Sequence, residues 1–229
     1  MRSLRFSRVG RNLLSLPGID FAQVFISFIV LLFSLTVHET AHAWTADRLG
    51  DPTARLLGRI SLNPIVHADP IGTVLFPLIA LLTGVPLIGW AKPVPVNVRR
   101  LRHARRDYVL VAAAGPASNL LLACLAGMAL RLIPVSPVML GEPNVSVPIA
   151  TILSRALQVN VLLAVFNMIP IPPLDGGNVL SGLLPRALAY RFDSILRPYG
   201  FVLLYALVLT GGFQYLVIQP SRFLLTWLQ

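Results

Sequence analysis

Residues 21–44 form an apolar run long enough to cross a lipid bilayer, and near its end the run carries His38, Glu39 and His42. As an unbroken helix it measures roughly 36 Å, more than the thickness of the hydrocarbon core. An ionisable side chain at bilayer depth costs roughly 2.5–3.5 kcal/mol by insertion scales, so three in one run demand a compensating partner, either a metal ion or an aqueous cavity. The chain is thereby constrained to a helical bundle built around a polar centre. A secretory signal is the competing reading, because Ala41-His42-Ala43 matches the small-x-small cleavage pattern, but the run is too long for a signal core.

Composition agrees with a membrane bundle. The 229 residues are 55% hydrophobic and only 12% charged, with a mean hydropathy of +0.74, outside the range of soluble domains. A net charge of +10 would suggest nucleic acid in a soluble chain. Here the arginines cluster between apolar runs, and the excess of Lys and Arg in cytoplasmic loops explains them without nucleic acid. Cys124 is the sole cysteine and lies within an apolar run, which excludes an internal disulfide and a cysteine zinc site.

The expected fold is an all-α multi-pass membrane protein with about four full transmembrane helices, at residues 21–44, 109–133, 149–169 and 201–218. Arg155 in the third of these should face protein or snorkel. Residues 71–90 are apolar but interrupted by Pro77, Gly84, Pro86 and Gly89, which suits a broken or re-entrant segment. Lys92-Pro93-Val94-Pro95-Val96-Asn97 reads either as an extended loop or as a short β-strand near the site, its prolines blunting one edge and leaving the other able to pair. Residues 179–197, with Pro185, read as a broken interfacial helix. The whole of 1–229 is expected to be one intramembrane domain: an amphipathic arm at 1–19, a core at 20–200, and a C-terminal helix and tail at 201–229.

On a helix, residues four apart share a face, so His38 and His42 can bind one zinc ion while Glu39 reaches the water that such an ion activates. A third protein ligand must come from elsewhere. The metzincin continuation would need glycine and histidine where Thr45 and Arg48 stand, so that class is excluded. The remaining candidates are His67, Asp69, His103 and Asp175. Asp175 has the best context, between prolines that stop the preceding helix and glycines that let backbone approach closely. His67 and His103 read as solvated loop residues, although His67 could assist near the site. Asn119, after Gly115-Pro116-Ala117-Ser118, and Asn167 each read as an oxyanion donor or as an interhelical hydrogen bond.

Parity of crossings adds a constraint. His38 and His42 lie near the end of the first span and Asp175 just beyond the end of the 149–169 span, so shared coordination needs both ends on one side of the membrane. Two crossings between them satisfy this and three do not, so residues 71–90 should enter and leave on the same side. That side also collects Arg48, Arg55, Arg59, Lys92, Arg99, Arg100, Arg102, Arg105, Arg106, Arg186, Arg191 and Arg197, marking it as cytoplasmic. Arg2, Arg5, Arg8 and Arg11 then fall on the other side, against the charge rule, and the ligand geometry is given precedence.

His38 to His42 within an apolar run, Ala114-Gly115-Pro116-Ala117-Ser118-Asn119, and Asn167 through Pro173-Leu174-Asp175-Gly176 together resemble the site-2 protease family of intramembrane zinc metalloproteases. Residues 50–70 and 89–97 further resemble its compact branch without PDZ or CBS domains. The resemblance covers roughly residues 21–200. It implies one Zn2+ held by His38, His42 and Asp175, Glu39 as the catalytic glutamate, and supporting roles for Asn119 and Asn167. It also implies a membrane-protein substrate cut on the cytoplasmic side of the cell membrane. Six-span members have a helix before the motif helix, for which this sequence offers no counterpart. A metal transporter or sensor would equally use intramembrane His and Asp, but leaves Glu39 without a task. An inactive scaffold binding single-pass proteins would not need the intact motif.

Overall fold

The structure is a computed structural model that describes residues 21–75, 79, 90–133 and 146–228. Its frame is three long helices: α1 (Phe21–Arg48), which is followed by two single turns, α2 (Thr53–Leu56) and α3 (Pro64–His67), then α4 (Ala104–Leu132) and α5 (Ser146–Asn167). Residue pairing fixes their directions. His38 lies against Asn119 and His42 against Val111, so α1 and α4 are antiparallel. Ser34 meets Asn160 while Leu31 and Leu35 pack near Val159 and Leu163, so α5 lies alongside α1 and runs the same way. Small residues allow the close approach expected where lipid offers no hydrophobic drive for association. Ala123 and Ala126 of α4 lie against Leu157 and Val161 of α5, and all four are buried.

After α5 the chain turns sharply through residues 168–174 into α6 (Asp175–Leu183), breaks at Pro185, and continues as α7 (Arg186–Leu209). Gly211, with φ of +77°, ends that helix. A π-helical turn at Gln214–Ile218 leads into α8 (Gln219–Leu228). Val217 is buried beside Ile169 and Leu174, whereas the Leu228 backbone lies against Gly127, so this last segment travels along α4 and α5 from one end of the bundle to the other.

Four helical stretches are long and apolar enough to cross a membrane: Ala22–Arg48, Ala104–Leu132, Val147–Asn167 and Arg186–Leu209. Their outward faces carry Phe25, Ile29, Phe33, Leu121, Leu125, Met128, Ile152, Val202 and Leu209, all exposed. Apolar surface on that scale suits lipid rather than water. Arg155 leans back to bond Gln23 at the start of α1 and Gln158 on its own helix, as its position inside an apolar run requires.

Three expectations need correction or narrowing. The span expected at 201–218 is instead a helix from Arg186 to Leu209 followed by a break, because the arginines of α7 stay at its first half, where Arg197 pairs with Asp193, and because Gly211 interrupts the apolar run. No β-strand occurs among the described residues. Residues 90–97 are extended but unladdered, since Pro93 and Pro95 carry no donor and the Lys92, Val94 and Asn97 amides bond singly to His67, Glu39 and Asp51. Most of 71–90 and all of 1–19 lie outside the described residues. The ends of the former do meet: the Trp90 N–H donates to the Gly72 carbonyl at 3.3 Å and Thr73 Oγ1 donates to the Trp90 carbonyl at 3.0 Å.

The turn at 168–174 is locked against α7. A Cβ on Gly200 would stand 1.8 Å from the Pro172 carbonyl oxygen, so a larger residue must separate helix from turn. Gly200→Val is expected to destabilise the protein by about 1–3 kcal/mol through overpacking, read as a lower apparent Tm in detergent.

Candidate metal centre

The first histidine of the motif is the eighteenth residue of α1, so both imidazoles are buried in the bundle rather than at the helix end. Asp175 arrives from the other direction as the first residue of α6. Two glycines permit this. A Cβ on Gly176 would meet the Met168 carbonyl oxygen at 2.2 Å, and one on Gly177 the Pro172 nitrogen at 2.5 Å. The first turn of α6 therefore folds tightly onto the preceding loop, which holds the carboxylate at the depth of the imidazoles.

The three groups converge on one point. His38 Nε2 lies 3.1 Å from His42 Nε2 and 3.1 Å from Asp175 Oδ2, and His42 Nε2 lies 3.4 Å from the same oxygen. Bonds of about 2.0–2.1 Å at tetrahedral angles place ligand atoms about 3.3–3.4 Å apart. One edge of the triangle matches that spacing and the other two fall about 0.2–0.3 Å short of it, so the cluster is near the size that a tetrahedral zinc ion takes. Its back is left open by Gly115, where a Cβ would sit 2.4 Å from His42 Nε2 and 2.5 Å from His38 Nε2.

Hydrogen bonds on the far side of each ring fix the protons. His42 Nδ1 faces the Val111 carbonyl at 2.7 Å, which can only accept, so Nδ1 carries the proton and Nε2 presents its lone pair. For His38 the same result follows from a chain of amides. Asn160 Nδ2 donates to the Ala156 carbonyl and to Ser34 Oγ, which turns its Oδ1 toward Asn119. Asn119 Nδ2 donates to that oxygen at 2.8 Å and to the Ser34 carbonyl at 3.3 Å, which turns its own Oδ1 to His38 Nδ1 at 2.6 Å. Both histidines thus aim lone pairs at a buried carboxylate oxygen that accepts no hydrogen bond. Three acceptors facing one another repel unless a cation lies among them, so the donor set fits zinc, with each imidazole oriented from behind as metal-binding histidines usually are.

The other candidates fall elsewhere. Glu39 Oε2 accepts the Val94 N–H at 2.9 Å, which takes up one donor of the backbone edge expected to be free there. Asn119 is fully buried and spends both amide protons on Ser34 and Asn160. Asn167 closes α5 and donates to the Leu163 carbonyl, with no bond to His38, His42 or Asp175 among the described residues. Asp69 caps the π-helical turn at Pro70–Leu75. His103 is exposed, as expected. His67 is not solvated: it is buried under α1, its Nε2 2.8 Å from the Ser61 carbonyl and 3.4 Å from Thr40 Oγ1. The four-residue turn Pro64–His67 that folds it inward has no periodicity to betray it. Asn160 was not among the expected site residues, and a single asparagine in an apolar run is its only signal.

Comparison with known proteins accords with this geometry. Residues 26–207 match Peptidase family M50, the site-2 protease family. The chain belongs to this family. Among M50 relatives, "Putative zinc metalloprotease YwhC" of Bacillus subtilis (strain 168) is 39% identical over 182 residues, covering 80% of this chain and 79% of that protein. "Putative zinc metalloprotease Rip2" of Mycobacterium tuberculosis (strain Erdman) is 36% identical over 224 residues, covering 92% and 80%. The Rip2 of Mycolicibacterium smegmatis is 32% identical over 198 residues, covering 84% and 70%. No solved structure was found to match. The chain is an M50 zinc metalloendopeptidase embedded in a membrane through its apolar helices.

If the amide chain sets the His38 proton, breaking it must weaken metal binding in this M50 peptidase. Asn119→Leu and Asn160→Leu are each expected to lower zinc affinity roughly 10- to 100-fold in chelator competition, as loss of an outer partner typically does.

Proposed function

We propose that the protein cuts peptide bonds within or beside the membrane-spanning segments of other proteins, with His38, His42 and Asp175 holding one zinc ion and Glu39 acting as general base. The observation that supports this most directly is the 3.1–3.4 Å triangle of lone pairs with Glu39 between its two histidines, inside a helix apolar enough to cross a bilayer. A zinc ion held by His38, His42 and Asp175 would supply a Lewis acid able to polarise a carbonyl and to lower the pKa of water to about 7.

Glu39 takes the proton from the attacking water and delivers it to the departing amine, the usual division of labour for a carboxylate placed beside a metal. Asn119 orients His38 rather than touching substrate. Asn167 has one amide proton on Leu163 and a second to offer the oxyanion. A substrate helix must unwind first, because its carbonyls are otherwise shielded by hydrogen bonds, and the extended segment at 90–97 gives the unwound chain a neighbour of matching shape.

The site end of the bundle carries Arg48, Arg55, Arg59, Lys92, Arg99, Arg100, Arg102, Arg105 and Arg106, which supports a cytoplasmic orientation in the cell membrane. In this reading residues 1–229 act as one domain, and the partners are a membrane-protein substrate and the bilayer itself.

In vesicles containing a single-pass substrate, Glu39→Gln is expected to keep stoichiometric zinc while cleavage falls roughly 10²- to 10⁴-fold. Mass spectrometry of the fragments should place the cut in or next to the apolar segment. A Glu39→Gln protein that cleaves at the wild-type rate, or a cut confined to a remote soluble domain, would overturn the proposal.

A further inference from the structure

Arg59 is a buried cation with no carboxylate partner among the described residues, a costly placement unless its charge is used. It serves three carbonyls. Nη1 donates to Val66 O at 2.6 Å, and Nη2 donates to Lys92 O at 2.5 Å and to Pro93 O at 3.3 Å. The Lys92 N–H in turn donates to His67 O at 2.8 Å, so residues 66–67 and 92–93 are fastened to each other with the guanidinium across them.

The last of those carbonyls belongs to the peptide unit whose other end holds the proposed base. Pro93 contributes the C=O that faces Arg59, and Val94 contributes the N–H that donates to Glu39 Oε2 at 2.9 Å. In a trans peptide these two groups point in opposite directions. One peptide dipole therefore lies between a cation at its negative end and a carboxylate at its positive end, the orientation that both charges favour. Pro93 and Pro95 on either side of Val94 restrict rotation of the backbone around that unit. Farther along, the fully buried Asp51 accepts the Asn97 N–H at 2.6 Å and ties down the other end of the segment.

We propose that Arg59 is a positioning residue for catalysis: through the Pro93–Val94 peptide it holds one oxygen of the Glu39 carboxylate in place, leaving the other as proton acceptor. The inference rests on Glu39 being the general base. Arg59 acts at one remove, so its loss should slow the chemical step without removing zinc and without weakening substrate binding.

The test uses the full-length zinc-loaded protein and the single-pass substrate in vesicles. Arg59→Gln and Val94→Pro are each expected to lower kcat about 100-fold, the scale of a misplacement of roughly 1 Å. Zinc content should stay stoichiometric and KM within about twofold of wild type, and Arg59→Lys, which can reach one carbonyl but not three, should recover part of the loss. Because both substitutions interrupt one connection, the Arg59→Gln/Val94→Pro double variant should be no slower than the worse single one. Independent, multiplying effects would overturn the proposal, as would a raised KM at unchanged kcat or a lost zinc ion. If Arg59→Gln does not fold, Val94→Pro with normal kcat is sufficient to overturn it. An inactive wild-type protein would instead remove the protease reading on which the inference stands.

Discussion

The organisation of this bundle follows from the cost of placing lone pairs without protons where there is little water. Two imidazoles and a carboxylate oxygen face each other at 3.1–3.4 Å, a repulsive arrangement that becomes favourable only around a cation. Everything that packs near them serves to keep that arrangement. Gly115 supplies room on α4, Gly176 and Gly177 let α6 fold back on its own loop, and the Val111 carbonyl and the Asn119 amide hold the rings from behind. A bundle that relied on apolar contacts alone would have no reason to spend three glycines at these positions.

Polar side chains elsewhere in the interior are arranged so that each is answered. Ser34, Asn119 and Asn160 come from three different helices and close a network in which two backbone carbonyls, Ser34 O and Ala156 O, decide which way both amides point. A second polar system, made of Arg59, Asp51, Lys92 and His67, lies on the loop side of α1 and organises an extended segment that sheet pairing does not support. The first orients the His38 ring and the second holds the segment whose Val94 amide reaches Glu39, so the two flanks of one motif are governed by separate parts of the chain.

How much of this was readable beforehand depended on whether a residue's meaning is local. His38, Glu39 and His42 stood out because four-residue spacing inside an apolar run leaves few alternatives, and Asp175 because prolines and glycines bracket it. The helices at 109–133 and 149–169 were placed within a few residues of Ala104–Leu132 and Ser146–Asn167 for the same reason. Asn160 was invisible, since its importance lies in what Asn119 does with it across a helix interface. His67 was misplaced because only tertiary folding tucks a short turn beneath Thr40. The break at Pro185 is legible in the sequence, but 186–197 reads as an interfacial helix separate from a span at 201–218, whereas α7 carries Arg186, Arg191 and Arg197 in the first half of one continuous helix.

The carboxylate that completes the triangle is separated from the two imidazoles by more than half the polypeptide. During synthesis the first helix enters the membrane long before α6 exists, so the nascent chain holds a bare pair of histidines through most of its assembly. Only when the final third has been threaded in and its tight turn has closed can the ion be gripped from both ends. An ion held by all three groups would thus tie together parts of the chain that are synthesised far apart in time.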